Sequence, residues 1–233
     1  MYCPVCEKEV EKWLVFSSRP NVACPHCSSA ERHRFTALYL KNNKKIYNNF
    51  LHIAPEKTLQ NIFKRNSNNY ICGDLNPNRY ANLNAIYLDA TNISFKNDYF
   101  DCIYASHILE HIIEDRKAMS EMYRVLKNDG VLLAIVPQRM DLDKTYEDST
   151  ITTAADRKRV FGQWDHVRYY GVDFSARLKE CGFYIKIYHI EGREKCVEKM
   201  IYDEKHLIEC DRSKYNLPSC DLLYVCVKTT DNK

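Results

Sequence analysis

The sequence predicts an α/β protein, a mostly parallel sheet with helices on both faces, preceded by a small metal-nucleated module. From residue 50 onward, short apolar runs alternate with longer amphipathic ones, the pattern of strands joined by helical crossovers. Four cysteines fall as Cys3-Pro-Val-Cys6 and Cys24-Pro-His-Cys27, with 17 residues between the pairs. The chain is 233 residues long and 45% hydrophobic, enough for one ordinary domain with a full core plus an appendage. The 17 Tyr exclude a disordered chain, and six Gly with seven Pro exclude collagen-like or linker-like composition. No apolar run reaches the ~18 residues of a membrane span, and Met1 to Val10 lack the apolar core of a signal peptide. A soluble, cytoplasmic protein is expected.

The net charge of +3 is too small to imply nucleic acid. It is unevenly spread, however. Residues 1–50 hold eight Lys/Arg against four Glu, while the remainder is nearly balanced. The N-terminal segment is therefore slightly attractive to anions, or simply carries solvated lysines.

Two Cys-x-x-Cys knuckles at this separation suit a tetrahedral Zn²⁺ site made by Cys3, Cys6, Cys24 and Cys27. With all four positions filled, such a site is structural, and a segment this short owes its fold to the ion. Disulfides or a redox motif compete weakly where secretion signals are missing. His26, inside the second knuckle, could replace a thiolate. Cys72, Cys102, Cys181, Cys196, Cys210, Cys220 and Cys226 are scattered and read as buried, reduced side chains.

Along the body, strands are expected at Phe50–Ala54, Tyr70–Gly73, Ala85–Leu88, Phe100–Ala105, Val131–Val136, Phe183–Ile190 and Leu222–Val227. Helices are expected at Glu56–Arg65, Ile108–Lys127 and Val172–Cys181. The middle one is the clearest, with Leu109, Ile112, Met119, Met122, Tyr123 and Leu126 at three- and four-residue steps before Asn128-Asp129-Gly130. In such a sheet the ligand sits beyond the carboxyl ends of the strands, where the strand order reverses.

The first strand–helix turn, His52-Ile-Ala-Pro-Glu56, contains no glycine, and no Gly-x-Gly-x-x-Gly occurs in the chain. A dinucleotide or Walker-type ATP site is disfavoured, because a pyrophosphate needs bare backbone there. S-adenosylmethionine has no phosphate and makes no such demand. It needs an acid for the ribose hydroxyls, and Asp74 ends the second strand 22 residues after His52; Asp89 ends the third. A lone Asp at a strand end is more often a turn residue, but two in order favour a nucleoside ligand.

The runs Leu88-Asp89-Ala90-Thr91-Asn92-Ile93-Ser94-Phe95, Tyr99-Phe100-Asp101-Cys102-Ile103-Tyr104-Ala105-Ser106-His107-Ile108-Leu109-Glu110-His111-Ile112 and Glu121-Met122-Tyr123-Arg124-Val125-Leu126-Lys127-Asn128-Asp129-Gly130 resemble class I S-adenosylmethionine-dependent methyltransferases, of the type 11 kind. The resemblance covers most of residues 50–190. It implies a seven-stranded Rossmann-like sheet with the last strand antiparallel. With the cysteine spacing, the expected organisation is residues 1–45 as zinc ribbon and basic linker and 46–233 as methyltransferase domain. It further implies that Ala54, Pro55 and Glu56 lie against the methionine end of the cofactor, Asp74 on the ribose, Asp89 with Ala90 around the adenine, and Ser106 with His107 beside the sulfonium. The first turn departs from the family, which shows an acid and a Gly-rich loop there.

His107-Ile-Leu-Glu110-His111 is also formally the His-x-x-Glu-His signature of one metallopeptidase class. That class needs further ligands and another architecture, so Glu110 and His111 are expected to cap a helix and pack beneath the site. About 34 residues after the fifth strand lack a core pattern, longer than a usual connection. They end in Phe161-Gly162-Gln163-Trp164-Asp165-His166-Val167-Arg168-Tyr169-Tyr170-Gly171, a polar-aromatic cluster suited to an acceptor pocket. Its expected parts are Gln163, Asp165 and Tyr170, with Arg168 as a charge clamp and His166 as a base, or instead an Asp–His–Arg loop latch. Tyr146, Glu147 and Asp148 are candidate lid residues. Arg32 and Arg34 could bind an anionic group if the ribbon folds against the pocket.

Methyl transfer from a sulfonium is an in-line displacement in which alignment supplies most of the acceleration, with His166 or His107 as the base for a hydroxyl acceptor. No Asn/Asp-Pro-Pro-aromatic element follows the fourth strand, and no Cys stands there or in Val136-Pro137-Gln138. O-methylation of a small molecule or saccharide, such as an anionic surface-polysaccharide precursor, is thus preferred over methylation of a nucleobase. RNA methylation using the ribbon, and a non-catalytic binding protein with this fold, are the alternatives.

Overall fold

The computed structural model describes residues 1–16, 19–190, 207–209 and 222–229. Two small hairpins start the chain. β1 (Tyr2–Cys3) pairs antiparallel with β2 (Lys8–Glu9), and β3 (Leu14–Phe16) with β4 (Arg19–Ala23). Residues 31–43, expected to belong to a basic linker, instead form helix α1 (Glu31–Asn43). Nine of its 13 residues are buried. A helix covered on nearly every side has no polar stripe, so periodicity does not reveal it. Its start is held by His33, whose Nδ1 accepts from the Ala30 N–H at 2.9 Å, and Lys44 closes it in the left-handed region at φ 49°.

The body follows as β5 (Tyr47–Ile53), α2 (Lys57–Arg65), β6 (Ser67–Asp74), a 3₁₀ segment (Pro77–Leu83), β7 (Ile86–Tyr87), β8 (Phe100–Ser106), a 3₁₀ turn (Leu109–His111), α3 (Asp115–Val125) and β9 (Leu126–Ile135). Then come β10 (Tyr146–Glu147), α4 (Ala154–Phe161), β11 (Arg168–Tyr169), α5 (Phe174–Glu180), β12 (Phe183–Ile190), β13 (Leu207–Glu209) and β14 (Leu223–Lys228). The main sheet runs β13-β12-β14-β9-β8-β5-β6-β7. Strands β9, β8, β5, β6 and β7 are mutually parallel, and β14 is antiparallel between β9 and β12. The seven expected strands are therefore present, and β13 adds a short eighth at the edge. Order reverses at β5, which lies between β6 and β8, so the crevice opens over Ile53 and Ser106.

Alternation along the strands sends successive residues to opposite cores. Leu51, Ile53, Ile103, Ala105, Leu132 and Ala134 meet Met119 and Met122 of α3 and Phe174 and Leu178 of α5. Phe50, Cys102, Tyr104, Leu133 and Val225 meet Phe35 and Leu38 of α1, Phe63 of α2, and Val10 and Trp13 of the N-terminal module. The module thus shares one apolar core with the sheet.

Two expectations fail in informative ways. The helix expected over 108–127 begins only at Asp115, because Ile112 is extended (φ −97°, ψ 118°). Arg168 donates to the carbonyls of Leu109, Ile112 and Ile113, giving them partners outside a helix. Glu110 and His111 consequently sit on a 3₁₀ turn rather than capping α3. The second failure is the long connection after β9, which is not patternless: β10 pairs with β11 and α4 lies between them. Thr153 caps α4 by accepting from the Asp156 N–H, and Gly162 ends it at φ 81°.

Of the segment 191–220, only β13 lies among the described residues, so its expected role as a lid or contact surface falls outside them, as do Cys196, Cys210 and Cys220. Among the described residues, no helix is long and apolar enough to cross a membrane.

Candidate functional site

The crevice is built from four strand ends. At the first, Ala54 takes the left-handed conformation (φ 49°), and its N–H donates to the Gly73 carbonyl at 2.9 Å. A residue with a Cβ is rarely held this way, and such positions gather at functional turns. His52, one turn earlier, is fully buried, and burial pulls its pKa down to about 3. It is therefore a neutral imidazole. Its Nε2 accepts from the Glu56 N–H at 3.2 Å, which leaves the proton on Nδ1, 2.8 Å from the Tyr70 hydroxyl. His52 supports the turn from below.

Glu56 faces α1. Arg32 Nη2 donates to it at 2.5 Å, and His33 Nε2 lies 2.7 Å away. Burial alone would raise the Glu56 pKa, but the hydrogen bonds from His33 and Arg32 and the Arg32 charge outweigh it and hold the carboxyl at about 2. Pro55 and Lys57 border a cavity of about 360 Å³ whose other wall is the segment 78–83 after β6.

At the second and third ends stand the two acids. A Cβ on Gly73 would lie 2.6 Å from the Leu88 Cβ, so only glycine lets β7 approach β6 here. Asp74 Oδ1 accepts from the Asn76 N–H at 2.8 Å, and Asp89 Oδ1 accepts from the Thr91 N–H and hydroxyl, both at 2.8 Å. Each acid thus commits one oxygen to its own turn. The second oxygen of each has no hydrogen bond among the described residues. Ala90 is buried beside Asp89.

At the fourth end, buried Ser106 precedes His107, which also sits in the left-handed region (φ 52°) while its N–H donates to the Ile135 carbonyl at 2.8 Å. That reversal leads into Glu110, His111, Asp165 and His166. His107 Nδ1 lies 3.5 Å from Glu110 Oε1, and His111 Nδ1 lies 3.3 Å from Asp165 Oδ2. The His111 and His166 rings meet edge-on at 4.7 Å. Burial lowers the His166 pKa, partly opposed by the Glu110 charge. The Val167 N–H donates to the Glu110 carbonyl at 2.9 Å, seating the 163–168 loop on the β8 end.

Several expected acceptor-site residues are redirected. Arg168 is no charge clamp: it is 3% exposed, its donors go to three carbonyls and, at 2.8 Å, to Glu147 Oε2. It is the loop latch. Tyr170 is fully buried, its hydroxyl donating to Asp115 Oδ2 at 2.8 Å, so it packs and cannot line an acceptor pocket. Arg34 is also fully buried, lying 4.0 Å over the Trp13 ring and donating to the Ser29 carbonyl, which removes it as an anion binder. Arg32 is committed to Glu56. Gln163 and Trp164 are exposed.

Sequence reasoning missed the buried charge network behind the latch. Asp115 takes Arg177 at 3.0 Å, and Glu147 takes Arg177 at 2.9 Å. Its members are spread over four elements, and no local spacing could announce them.

In the N-terminal module, Cys3, Cys6, Cys24 and Cys27 place their Sγ atoms within 4.8 Å of one another. Cys3–Cys27 is 3.7 Å and Cys6–Cys24 is 3.8 Å, far beyond an S–S bond. An ion bonded at ~2.3 Å to four sulfurs in a tetrahedron sets that edge at about 3.8 Å, so the cluster fits such an ion. The Ser29 hydroxyl lies 3.3 Å from both Cys3 and Cys27. His26 does not take part: its Nε2 is 3.1 Å from the Glu9 carbonyl.

The crevice fits a phosphate-free nucleoside. Among the described residues it offers two carboxylate oxygens without hydrogen bonds, at and just past adjacent strand ends, and a left-handed turn, and its first turn lacks the glycine cradle that a pyrophosphate requires.

Residues 44–134 match the family described as Methyltransferase domain. A Ubiquinone/menaquinone biosynthesis C-methyltransferase UbiE from Edwardsiella ictaluri is 38% identical over 70 residues, covering 29% of this chain and 28% of that protein. The match therefore spans under a third of that relative's length. Among solved structures, a SAM-dependent methyltransferase from Thermotoga maritima superposes with a TM-score of 0.53 at 14% identity, over 84% of this chain and 91% of that one. The [4+2]-cyclase SpnF superposes with a TM-score of 0.55 at 13% identity, over 94% and 86%. The fold is thus shared with a protein named for another reaction, and chemistry must be argued from the site. Residues 44–134 thus match a methyltransferase-domain family model, and the sheet built around them shares the Rossmann-like fold of the solved S-adenosylmethionine-dependent methyltransferase it superposes on.

Proposed function

We propose that this protein is an S-adenosylmethionine-dependent methyltransferase that O-methylates a small molecule or saccharide, with a structural Zn²⁺ held by Cys3, Cys6, Cys24 and Cys27. The observation that carries the reading is the pair Asp74 and Asp89, each with one carboxylate oxygen bound to its own turn and one without a partner among the described residues. Asp74 takes the ribose hydroxyls and Asp89 with Ala90 the adenine. Ala54, Pro55 and Glu56 border the methionine end. Ser106 and His107 lie beside the sulfonium. When bound, the cofactor supplies a methyl carbon activated by positive sulfur.

The protein's own task is alignment and proton handling. Holding the acceptor oxygen in line supplies most of the acceleration, and a base adds about 10²–10⁴-fold. His107, just after β8, and His166, on the loop after α4, receive the acceptor's proton. Gln163 and Asp165 stand on the same loop as His166 and contact the acceptor.

An RNA acceptor is the weaker reading, and the reason is electrostatic. The cationic N-terminal segment spends its arginines internally: Arg19 pairs with Glu31 at 3.1 Å, Arg32 pairs with Glu56, and Arg34 is buried. The test is product analysis. The protein is incubated with S-adenosylmethionine and either a panel of hydroxylated small molecules and saccharides or bulk RNA. S-adenosylhomocysteine release with a small acceptor, insensitive to added salt, is expected. Transfer to RNA alone, with activity falling steeply with salt, overturns the acceptor class.

A further inference from the structure

We propose that Glu110, His111 and His166 form a site for a divalent transition-metal ion, whose open positions take an oxygen of the methyl acceptor; this rests on the methyltransferase reading above. One ligand atom from each of the three lies within 4.8 Å of the others, so one ion can reach all of them.

The central observation is Glu110. It is 1% exposed, and neither carboxylate oxygen accepts a hydrogen bond among the described residues. A buried carboxylate with no donor is strongly unfavourable unless a cation compensates it. Among the described residues, no Lys or Arg is paired with it. Its ion-pairing neighbours among the described residues are imidazoles, His107 at 3.5 Å and His111 at 3.9 Å. His166 repeats the pattern, since its Nδ1 is buried without a hydrogen-bond partner.

The ring of His111 is oriented as a ligand's ring is. Its Nδ1 faces Asp165 Oδ2 at 3.3 Å, which leaves Nε2 turned to Glu110 Oε1. A carboxylate on the far nitrogen is the usual outer partner of a metal-bound histidine. The surroundings are rigid: the Glu110 carbonyl is held by the Val167 N–H, and Arg168 fixes the carbonyls on either side of the 3₁₀ turn. Two imidazoles and one carboxylate suit Zn²⁺, Fe²⁺ or Co²⁺ and leave positions for oxygen ligands, unlike the closed four-cysteine cluster. An alcohol oxygen bound there becomes more acidic. His166 then acts as a ligand, and His107 is left to receive the proton.

The 233-residue protein, loaded with Zn²⁺ at its four cysteines, is titrated with Co²⁺ by calorimetry and visible absorption. One further site is expected, showing weak d–d bands without the sulfur-to-metal charge transfer of a thiolate site. Glu110→Gln and His111→Gln, both close in volume to the native side chains, should each weaken it at least tenfold. No second site in the wild type, or equal affinity in both variants, overturns the proposal. S-adenosylmethionine binding is measured in the same preparations without Co²⁺. Cofactor binding with no Co²⁺ site removes the metal alone, whereas a Co²⁺ site with no cofactor binding removes the methyltransferase reading on which the acceptor role depends.

Discussion

Glu56 at the head of α2 and His33 in the first turn of α1 stand 2.7 Å apart, tying the turn that closes β5 to the helix that follows the four cysteines. Arg32 completes the contact at 2.5 Å. The module is thus bonded to the crevice by charge as well as packed beneath it through Trp13, Phe35 and Phe50.

Acid should weaken this tie in a defined window. The Glu56 carboxyl is held at about 2 in the folded protein, below its ordinary value of 4.5. The unfolded chain therefore binds the proton first, and stability falls as pH drops from about 4.5 toward 2. Urea unfolding of wild type and Glu56→Gln across that range checks this. The variant should be less stable at neutral pH and lose part of the acid-side slope; identical slopes would contradict the assignment.

The latch role of Arg168 predicts a stability defect. Arg168→Ala leaves three carbonyls without their guanidinium donor and breaks pairs to Asp115 and Glu147. A loss of about 3–5 kcal/mol is expected in denaturant unfolding. A variant of native stability with only a raised KM would restore the charge clamp.

Because the module shares its apolar core with the sheet, losing the proposed Zn²⁺ should be felt by the whole domain. Cys24→Ser should lower the melting temperature of the entire protein in a single transition and remove one tightly bound Zn²⁺ per chain. Two separate transitions, with the sheet melting as in the wild type, would show that the two parts are uncoupled.

Ala54 holds a left-handed conformation that glycine adopts freely. Ala54→Gly should therefore be neutral or stabilising by up to ~1 kcal/mol, while Ala54→Val should destabilise and weaken cofactor binding. Equal stability of the two variants would mean that the turn relaxes without cost.

Much of this architecture is legible in the chain because it rests on local patterns. Strand β8 ends at Ser106, one residue from its expected limit, and β12 spans the expected Phe183–Ile190, since apolar runs bounded by turns mark buried strands. The paired knuckles, Asp74 at the end of β6 and Asp89 two residues past β7 are likewise matters of spacing. What escaped depends on contacts between distant segments. α1 is buried on nearly all sides and shows no stripe. The start of α3 is displaced by Arg168, which lies 53 residues beyond Asp115 in the sequence. Arg34, Arg168 and Tyr170 have the side chains of a binding site, yet the fold turns each inward, and residue type alone cannot tell a ligand from a strut.

The central claim is that a phosphate-free nucleoside lodges over the carboxylates at the ends of β6 and β7. Calorimetric titration of wild type and Asp74→Ala with S-adenosylmethionine and S-adenosylhomocysteine tests it most directly, with thermal melts run on the same samples. The account predicts binding of both ligands to the wild type, and loss of both in the variant with its melting temperature nearly unchanged. Full affinity in Asp74→Ala, or no heat from either ligand with the wild type, would contradict it.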